Sequence, residues 1–319
     1  MKSKDPYCLV IGSSNLDISG TSSKKLLLYD SNESDVFLSS GGVGRNVAEN
    51  IIRLGNRCFL ISAFGDDQFG KYIKKNCIKI GLDISASITT KKGNTALYLS
   101  VHENTGEMVL ALNDTSIINN ITPKYLEKHR RLISESSVIV IDTNLSQRTM
   151  NYIFRNFSQI PIFVDPVSLS KSKKVVSSLK FIHTLKPNLF EAKFLAGIKN
   201  KTKNNPEDIA QKLSQKGLKR FLISLGEKGV FAYNDKIGKY YESELLSFKN
   251  DTGAGDALLA GLVHGHLKGW SWDYTIKFSL ITANFALKVK ETVNSNLNER
   301  DVLKVLEENY ERRKWITNI

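Results

Sequence analysis

Gly41–Gly65 reads "GGVGRNVAENIIRLGNRCFLISAFG": a glycine cluster, an amphipathic run and an apolar run, in that order. Val47, Ile51 and Leu54 recur at helical spacing, and Gly55 ends the helix they predict. Cys58–Ala63 then reads as a buried strand running into a Gly/Asp loop. The same order continues on both sides. "YCLVI" at Tyr7–Ile11 is another short apolar strand, and "FGKYIKKNCIKIG" is a helix that stops at Gly81. Strand, helix, strand and helix in succession predict a mainly parallel sheet with both faces covered.

The rhythm breaks twice and then resumes. Lys24–Ser39 is irregular or extended, and Ile88–Ala111 is strand-like with a hairpin signal at "ENTGE". These two segments are expected to form a small sheet over a site on the main domain. "SVIVID", "IPIFVDP" and "FIHTLKPN" return as short strands that end in polar residues, and "KRFLISLGEKGVFAY" reads as two strands around a glycine turn. "ALLAGLVHGHLKG" and "WDYTIKFSLITANFALK" are helical in pattern. Ligands of open parallel sheets bind beyond the C-terminal strand ends, where Asp142, Asp165, Asn188 and Gly226 fall.

Composition excludes several classes. The chain of 319 residues is 41% hydrophobic and 24% charged, which suits one large globular domain, taken as 1–319. No apolar run approaches the ~20 residues of a membrane span, and no signal-peptide pattern opens the chain. Cys8, Cys58 and Cys77 have no metal-like spacing, and the histidines form no zinc set. A reducing, cytoplasmic compartment is expected. The net charge of +13 comes from scattered lysines without interleaved aromatics, so it suits an anionic ligand better than nucleic acid.

The local chemistry points to a phosphate. "NDTGAGD" at Asn250–Asp256 sets three small residues before an apolar helical run, so Gly253, Ala254 and Gly255 fall in a first turn whose N–H groups lack partners. A plain helix start capped by Thr252 or Asp251 is the competing reading. Asp256 favours the anion site, because a carboxylate next to a phosphate needs a task, such as taking a hydroxyl proton. No G-K-[ST] follows, and no G-x-G-x-x-G follows the first strand, so neither a Walker loop nor a dinucleotide fingerprint is present. "GGVGRN" offers close backbone approach at Gly41 and Gly42. Asn46 with Asn15 and Asp17 makes a set of donors and acceptors suited to vicinal hydroxyls, although Asn15 and Asp17 also suit a turn. In "KPNLFEA", Asn188 and Glu191 stand either as a capping box or as a water-mediated hold on Mg²⁺. "SLGEKG", Ser224–Gly229, is a turn that exposes backbone to a nucleotide.

With "GGVGRN" early, "TGAGD" late, and "KPNLFEA" and "SLGEKG" between them, the chain resembles the ribokinase-like (PfkB) carbohydrate kinases over essentially its full length. The resemblance implies a three-layer α/β/α domain with a mainly parallel central sheet and a small β-sheet lid, here Lys24–Ser39 and Ile88–Ala111. It implies ATP-dependent phosphorylation of a primary hydroxyl. Pseudouridine is the expected acceptor; other nucleosides (adenosine, inosine, uridine) or sugars (ribose, fructose) are the alternative. Asp256 matches the family's catalytic base, and Gly253, Ala254 and Gly255 its anion hole. Asn15, Asp17, Gly41, Gly42 and Asn46 match the hydroxyl-binding positions, with Asn94, Thr95 or Asn113 near the base. Asn188, Ser224, Gly226, Gly229, Thr252 and Asn284 fall on the ATP side, with Asn188 and Glu191 near Mg²⁺. The usual signature has Asp-Thr where this chain has Asn250 and Asp251, so a monovalent cation such as K⁺ at those two residues is open. A homodimer is implied by resemblance only.

Overall fold

The structure is a computed structural model that describes residues 6–198, 205–242 and 253–316, with side chains to residue 308. The chain runs β1 (Tyr7–Ile11), β2 (Asn15–Ser22), β3 (Ser34–Gly41), α1 (Val43–Arg53), β4 (Arg57–Ile61), β5 (Ala63–Gly65), α2 (Gln68–Lys79), β6 (Ile88–Thr90), β7 (Ala96–His102) and β8 (Met108–Asp114). It continues through α3 (Pro123–Lys128), α4 (Arg130–Ser134), β9 (Val138–Asp142), α5 (Gln147–Asn156), β10 (Ile162–Asp165), α6 (Leu169–Ser172), β11 (Thr184–Leu185), α7 (Leu189–Ala196) and α8 (Pro206–Gln215). β12 (Arg220–Ser224), β13 (Val230–Asn234), β14 (Ile237–Tyr241), α9 (Ala254–Leu267), α10 (Trp272–Ala286) and α11 (Glu299–Ile316) complete it.

The main sheet has eight strands in the order β14-β13-β12-β11-β10-β9-β1-β4. Its strands are parallel from β12 through β4, and β13 and β14 extend one edge antiparallel. Alternation along β1 supplies both faces. Tyr7, Leu9 and Ile11 enter a core with Met150, Phe154 and Leu195. Cys8 and Val10 enter another with Val47, Ile51, Leu259 and Ile276. Helices α5, α7 and α8 therefore cover one face and α1, α2, α9 and α10 the other, giving three layers. No helix among the described residues is long and apolar enough to cross a membrane.

β1 pairs with β4 on one side and β9 on the other, so the strand order reverses there. Such a reversal opens a crevice beyond the strand ends. The loops after β1, β9, β10 and β11 all reach that crevice, together with the starts of α1 and α9.

The lid is a separate four-stranded sheet, β3-β2-β7-β8. Its extent differs from the expected segments. Asn15–Ser22 is its second strand, although "NLDISGTS" has too many polar residues to signal one. Ile88–Thr90 leaves the lid and pairs with Ala63–Gly65 in a two-stranded sheet. Of Lys24–Ser39, only Ser34 onward is strand.

Candidate active site

α9 begins in a way few residue types allow. Its N-cap is Gly253 at φ 87°, and among the described residues no side chain caps the first turn. A Cβ there would lie 1.9 Å from the Thr292 carbonyl oxygen. The competing reading, a cap by Thr252 or Asp251, falls with Asn250 outside the described residues. Helices α2, α5, α7, α8 and α10 each start with a side-chain oxygen accepting from the first turn; α1 and α9 do not. At α1 the chain supplies its own anion, because Asp142 Oδ2 accepts from the Gly44 N–H at 3.0 Å. At α9 no described side chain takes the leading N–H groups, where the positive end of the helix dipole lies.

Asp256 lies in the first turn of α9 and is 9% exposed. Burial pushes its carboxyl up to about 7, and Asp165 adds to the rise; Asn46 and Lys186 oppose it, and Asp142 adds again. Asn46, from α1, donates Nδ2 to Asp256 Oδ2 at 2.9 Å. Its Oδ1 accepts from Arg45 Nη1 at 2.8 Å and Thr292 Oγ1 at 3.3 Å, which fixes which way the amide faces. Arg45 is buried, donates also to the Ser40 carbonyl at 2.5 Å, and pairs with Glu49. Both glycine clusters therefore meet at one hydrogen bond.

Two strand ends complete the floor. Asp142 accepts from Ser13 N–H at 2.7 Å, Ser13 Oγ at 2.9 Å and Asn144 N–H at 2.8 Å, tying the ends of β1, β9 and α1 together. Lys186, just past β11, pairs with Asp165 Oδ2 at 2.9 Å. A Cβ on Gly255 would sit 2.7 Å from Lys186 Nζ, so the ammonium rests on the first turn of α9. Burial works against its charge, but Asp165, Asp256 and Glu191 together raise its pKa above the ordinary lysine value.

On the lid side, Asn15 Nδ2 donates to Asp17 Oδ1 at 2.5 Å. Register sets Asn15 opposite Gly41 and Asp17 opposite Ser39, and Gly42 then starts α1. Burial raises the Asp17 carboxyl to about 6, against the pull of Asn15 and Arg45. Tyr98 is opposite both Asp17 and Asn113, so Ser39, Asp17, Tyr98 and Asn113 form one row on one face of the lid. Asn94 and Asn113 are exposed. Thr95 is committed elsewhere: its hydroxyl donates to Asp67 at 2.7 Å and accepts from the Gly65 N–H at 3.0 Å, clasping the loop before α2.

The pattern of the pfkB family carbohydrate kinases matches residues 5–299. The chain belongs to this family. It is 38% identical to the pseudouridine kinase of Escherichia coli K12 over 309 residues, covering 96% of this chain and 98% of that one. An uncharacterised sugar kinase of the same strain is 32% identical over 87% of this chain and 77% of its own. The crystal structure of a Clostridium perfringens protein described as a sugar kinase superposes with a TM-score of 0.83 at 32% identity, covering 96% of this chain and 97% of that one.

As a PfkB kinase the chain carries out ATP-dependent phosphorylation of a sugar or nucleoside hydroxyl, and two of the residues expected on the ATP side, Asn188 and Ser224, stand together. Asn188 forms a parallel bridge with Ser224, and the Ser224 N–H donates to the Pro187 carbonyl at 3.0 Å. Gly226–Lys228 is a single 3₁₀ turn closed by Gly229. Asn284 is half-buried on α10. Asn188 and Glu191 form the capping box of α7: Asn188 Oδ1 accepts from the Glu191 N–H at 2.9 Å and Glu191 Oε2 from the Asn188 N–H at 2.8 Å. Asn188 Nδ2 and Glu191 Oε1 are left outside the box. Among the described residues no cluster of three or more His, Cys, Asp or Glu is placed to cage a metal ion. Around Lys186, nonetheless, three carboxylates, Asp165, Asp256 and Glu191, face its one positive charge. That excess fits Mg²⁺ brought by phosphates and keeping its waters.

Arg45, Asp142, Asp165 and Lys186 are charged residues of this PfkB site to which the motif reading assigned no role. Arg45 had one signal, a charge inside a glycine cluster at a helix start. For Lys186 and the two aspartates the only signal was their place at strand ends.

Proposed function

We propose that this chain phosphorylates the 5′-hydroxyl of pseudouridine with ATP, giving pseudouridine 5′-phosphate and ADP. The observation that carries the chemistry is Asp256: a buried carboxylate near pKa 7 in a first turn with a glycine N-cap, held by Asn46 from the sugar-side cluster. The 38% identity to a pseudouridine kinase over nearly both full lengths supports the acceptor. In this reading Asn15, Asp17 and Asn46 hold the ribose hydroxyls and place the 5′-oxygen beside Asp256. Asp256 takes its proton, and the first turn of α9 bears the charge of the transferring group. Asn188 and Glu191 would hold Mg²⁺ through water; when bound, it neutralises phosphate charge. The lid row Ser39, Asp17, Tyr98 and Asn113 faces the nucleoside and helps exclude water.

A coupled ADP-release screen across pseudouridine, uridine, adenosine, inosine, cytidine, ribose and fructose tests this. Pseudouridine is expected to give the highest kcat/KM, with uridine, which lacks the free N1–H, well behind. Equal turnover of uridine would remove the narrow specificity. Preference for a free sugar would support the second reading, which rests on the 32% identity to a sugar kinase.

A homodimer through the lid is part of the same proposal. The second face of that sheet carries Val36, Leu38, Leu99, Leu110 and Leu112, each 37% to 62% exposed. A contiguous apolar patch of that kind marks a contact. Light scattering after size exclusion is expected to give twice the chain mass, and the Leu99→Lys, Leu112→Lys double variant the single mass. A monomeric parent chain would end this part of the proposal.

A further inference from the structure

We propose that Lys186 is a catalytic residue of this site: its ammonium, braced by Asp165 against the first turn of α9, contacts the γ-phosphoryl group during transfer. The inference rests on the reading of α9 as the place where that group passes.

Position carries it first. Only Gly255 lets the ammonium lie against the first turn, because a Cβ there would come within 2.7 Å of Nζ. The cation therefore stands beside the leading N–H groups of α9 and Asp256, where transferring oxygens gather charge. Donor capacity carries it next. An ammonium has three N–H groups, and among the described residues Lys186 uses one partner, Asp165. Lys174 is the contrast, since it satisfies its ammonium on the carbonyl oxygens of Thr143 at 2.7 Å and Leu145 at 2.9 Å. Lys174 staples a loop, whereas Lys186 keeps donors to offer. Charge is the third observation. A phosphoryl group arriving beside Asp165, Asp256 and Glu191 meets like charge on three sides, and Lys186 is the cation set among them.

The step balances without further reagents. The acceptor oxygen bonds to the γ-phosphorus while the bond from phosphorus to the β,γ-bridging oxygen breaks. ADP leaves with that electron pair, and the hydroxyl proton passes to the Asp256 carboxylate. Lys186 keeps its proton throughout and donates hydrogen bonds to the transferring oxygens.

Three variants and two readouts test it: Lys186→Met, Lys186→Arg and Gly255→Ala, followed by turnover and by MgADP binding with and without aluminium fluoride, which stands in for the transferring group. Lys186→Met is expected to lower kcat by about 10²–10³-fold with the acceptor KM within about threefold. It should also abolish the tightening of MgADP by aluminium fluoride. Lys186→Arg should restore part of both, and Gly255→Ala, which displaces the ammonium, should lose part of both. A Lys186→Met enzyme within about fivefold of the parent kcat would overturn the assignment. So would equal weakening of MgADP with and without fluoride, the mark of a merely structural ion pair. If Lys186→Met does not fold, the other two variants decide by the same readouts. The fluoride measurement needs no named acceptor, so a wrong acceptor shows in the screen alone.

Discussion

Asp256→Asn is expected to lower kcat by about 10²–10⁴-fold while MgATP and the acceptor still bind. The substitution keeps the size of the side chain and removes its capacity to take a proton. Asn46 faces Asp256 with a donor. The new amide can turn its own oxygen toward it, so the contact between α1 and α9 survives. Calorimetric titration of the variant with each ligand should give dissociation constants within a few-fold of the parent, with the loss confined to turnover. Near-normal turnover would falsify the base assignment. The pH dependence gives an independent reading. Asp256 works only when ionised and its pKa lies at about 7, so kcat/KM should fall with acidification below that point and level above it. Stability runs the opposite way. Between the ordinary aspartate value of 3.8 and about 7, the folded chain holds a proton that the unfolded chain has released. Ionising Asp256 therefore costs stability as pH rises through that window. The ligand-free Asp256→Asn enzyme should melt a few degrees higher than the parent at pH 8, and by a smaller margin at pH 5.

Gly253→Ala is expected to be the second large effect, a loss of at least 10²-fold in kcat that lid closure cannot restore. Two constraints coincide at that residue. Its φ of 87° is a conformation that side chains with a Cβ rarely adopt. The same Cβ would also meet the Thr292 carbonyl carbon at 2.8 Å as well as its oxygen. Both are backbone atoms, so neither can swing aside as a lysine end can. Relief requires the start of α9 to move away from the Thr292 loop, and Asp256 moves with it. Thr292 also donates to Asn46 Oδ1, so the displacement reaches the partner of the base. Aluminium fluoride with MgADP should bind no more tightly than MgADP alone. Far-UV circular dichroism should stay near the parent spectrum, since α9 keeps its other turns. A variant with parental kcat would show that the first turn does not hold the phosphoryl group.

What was legible in the sequence was what local physics fixes. Val138–Asp142 is buried along its whole length between two helix layers, so it reads as an unbroken apolar run. The glycine clusters were visible because a helix start open to an anion needs small residues in consecutive positions. The same logic failed for β2. Asn15–Ser22 lies in a half-exposed sheet of the lid, and its pairing with β3 and β7 rests on backbone bonds that leave no hydrophobic trace. Lys186, and the part that Asp142 and Asp165 play beyond their place at strand ends, escaped for a different reason. Their association depends on β9, β10 and β11 standing side by side beyond the reversal at β1, a non-local outcome of strand order. The capping box at Asn188 and Glu191 was readable as local geometry. Whether it also serves Mg²⁺ is a question about the atoms the box leaves over.

The bond between Asn46 and Asp256 spans 210 positions of the chain. During synthesis at about 5–20 residues per second, the two residues emerge roughly 10–40 s apart. The nascent protein therefore displays its lid strands long before Asp256 exists. Until α9 is made, Asn46 has no carboxylate to hold, and under the proposed mechanism the growing chain has no base to act on an acceptor. Reactivity arrives as a late event, when the last fifth of the polypeptide docks against a helix completed near the beginning.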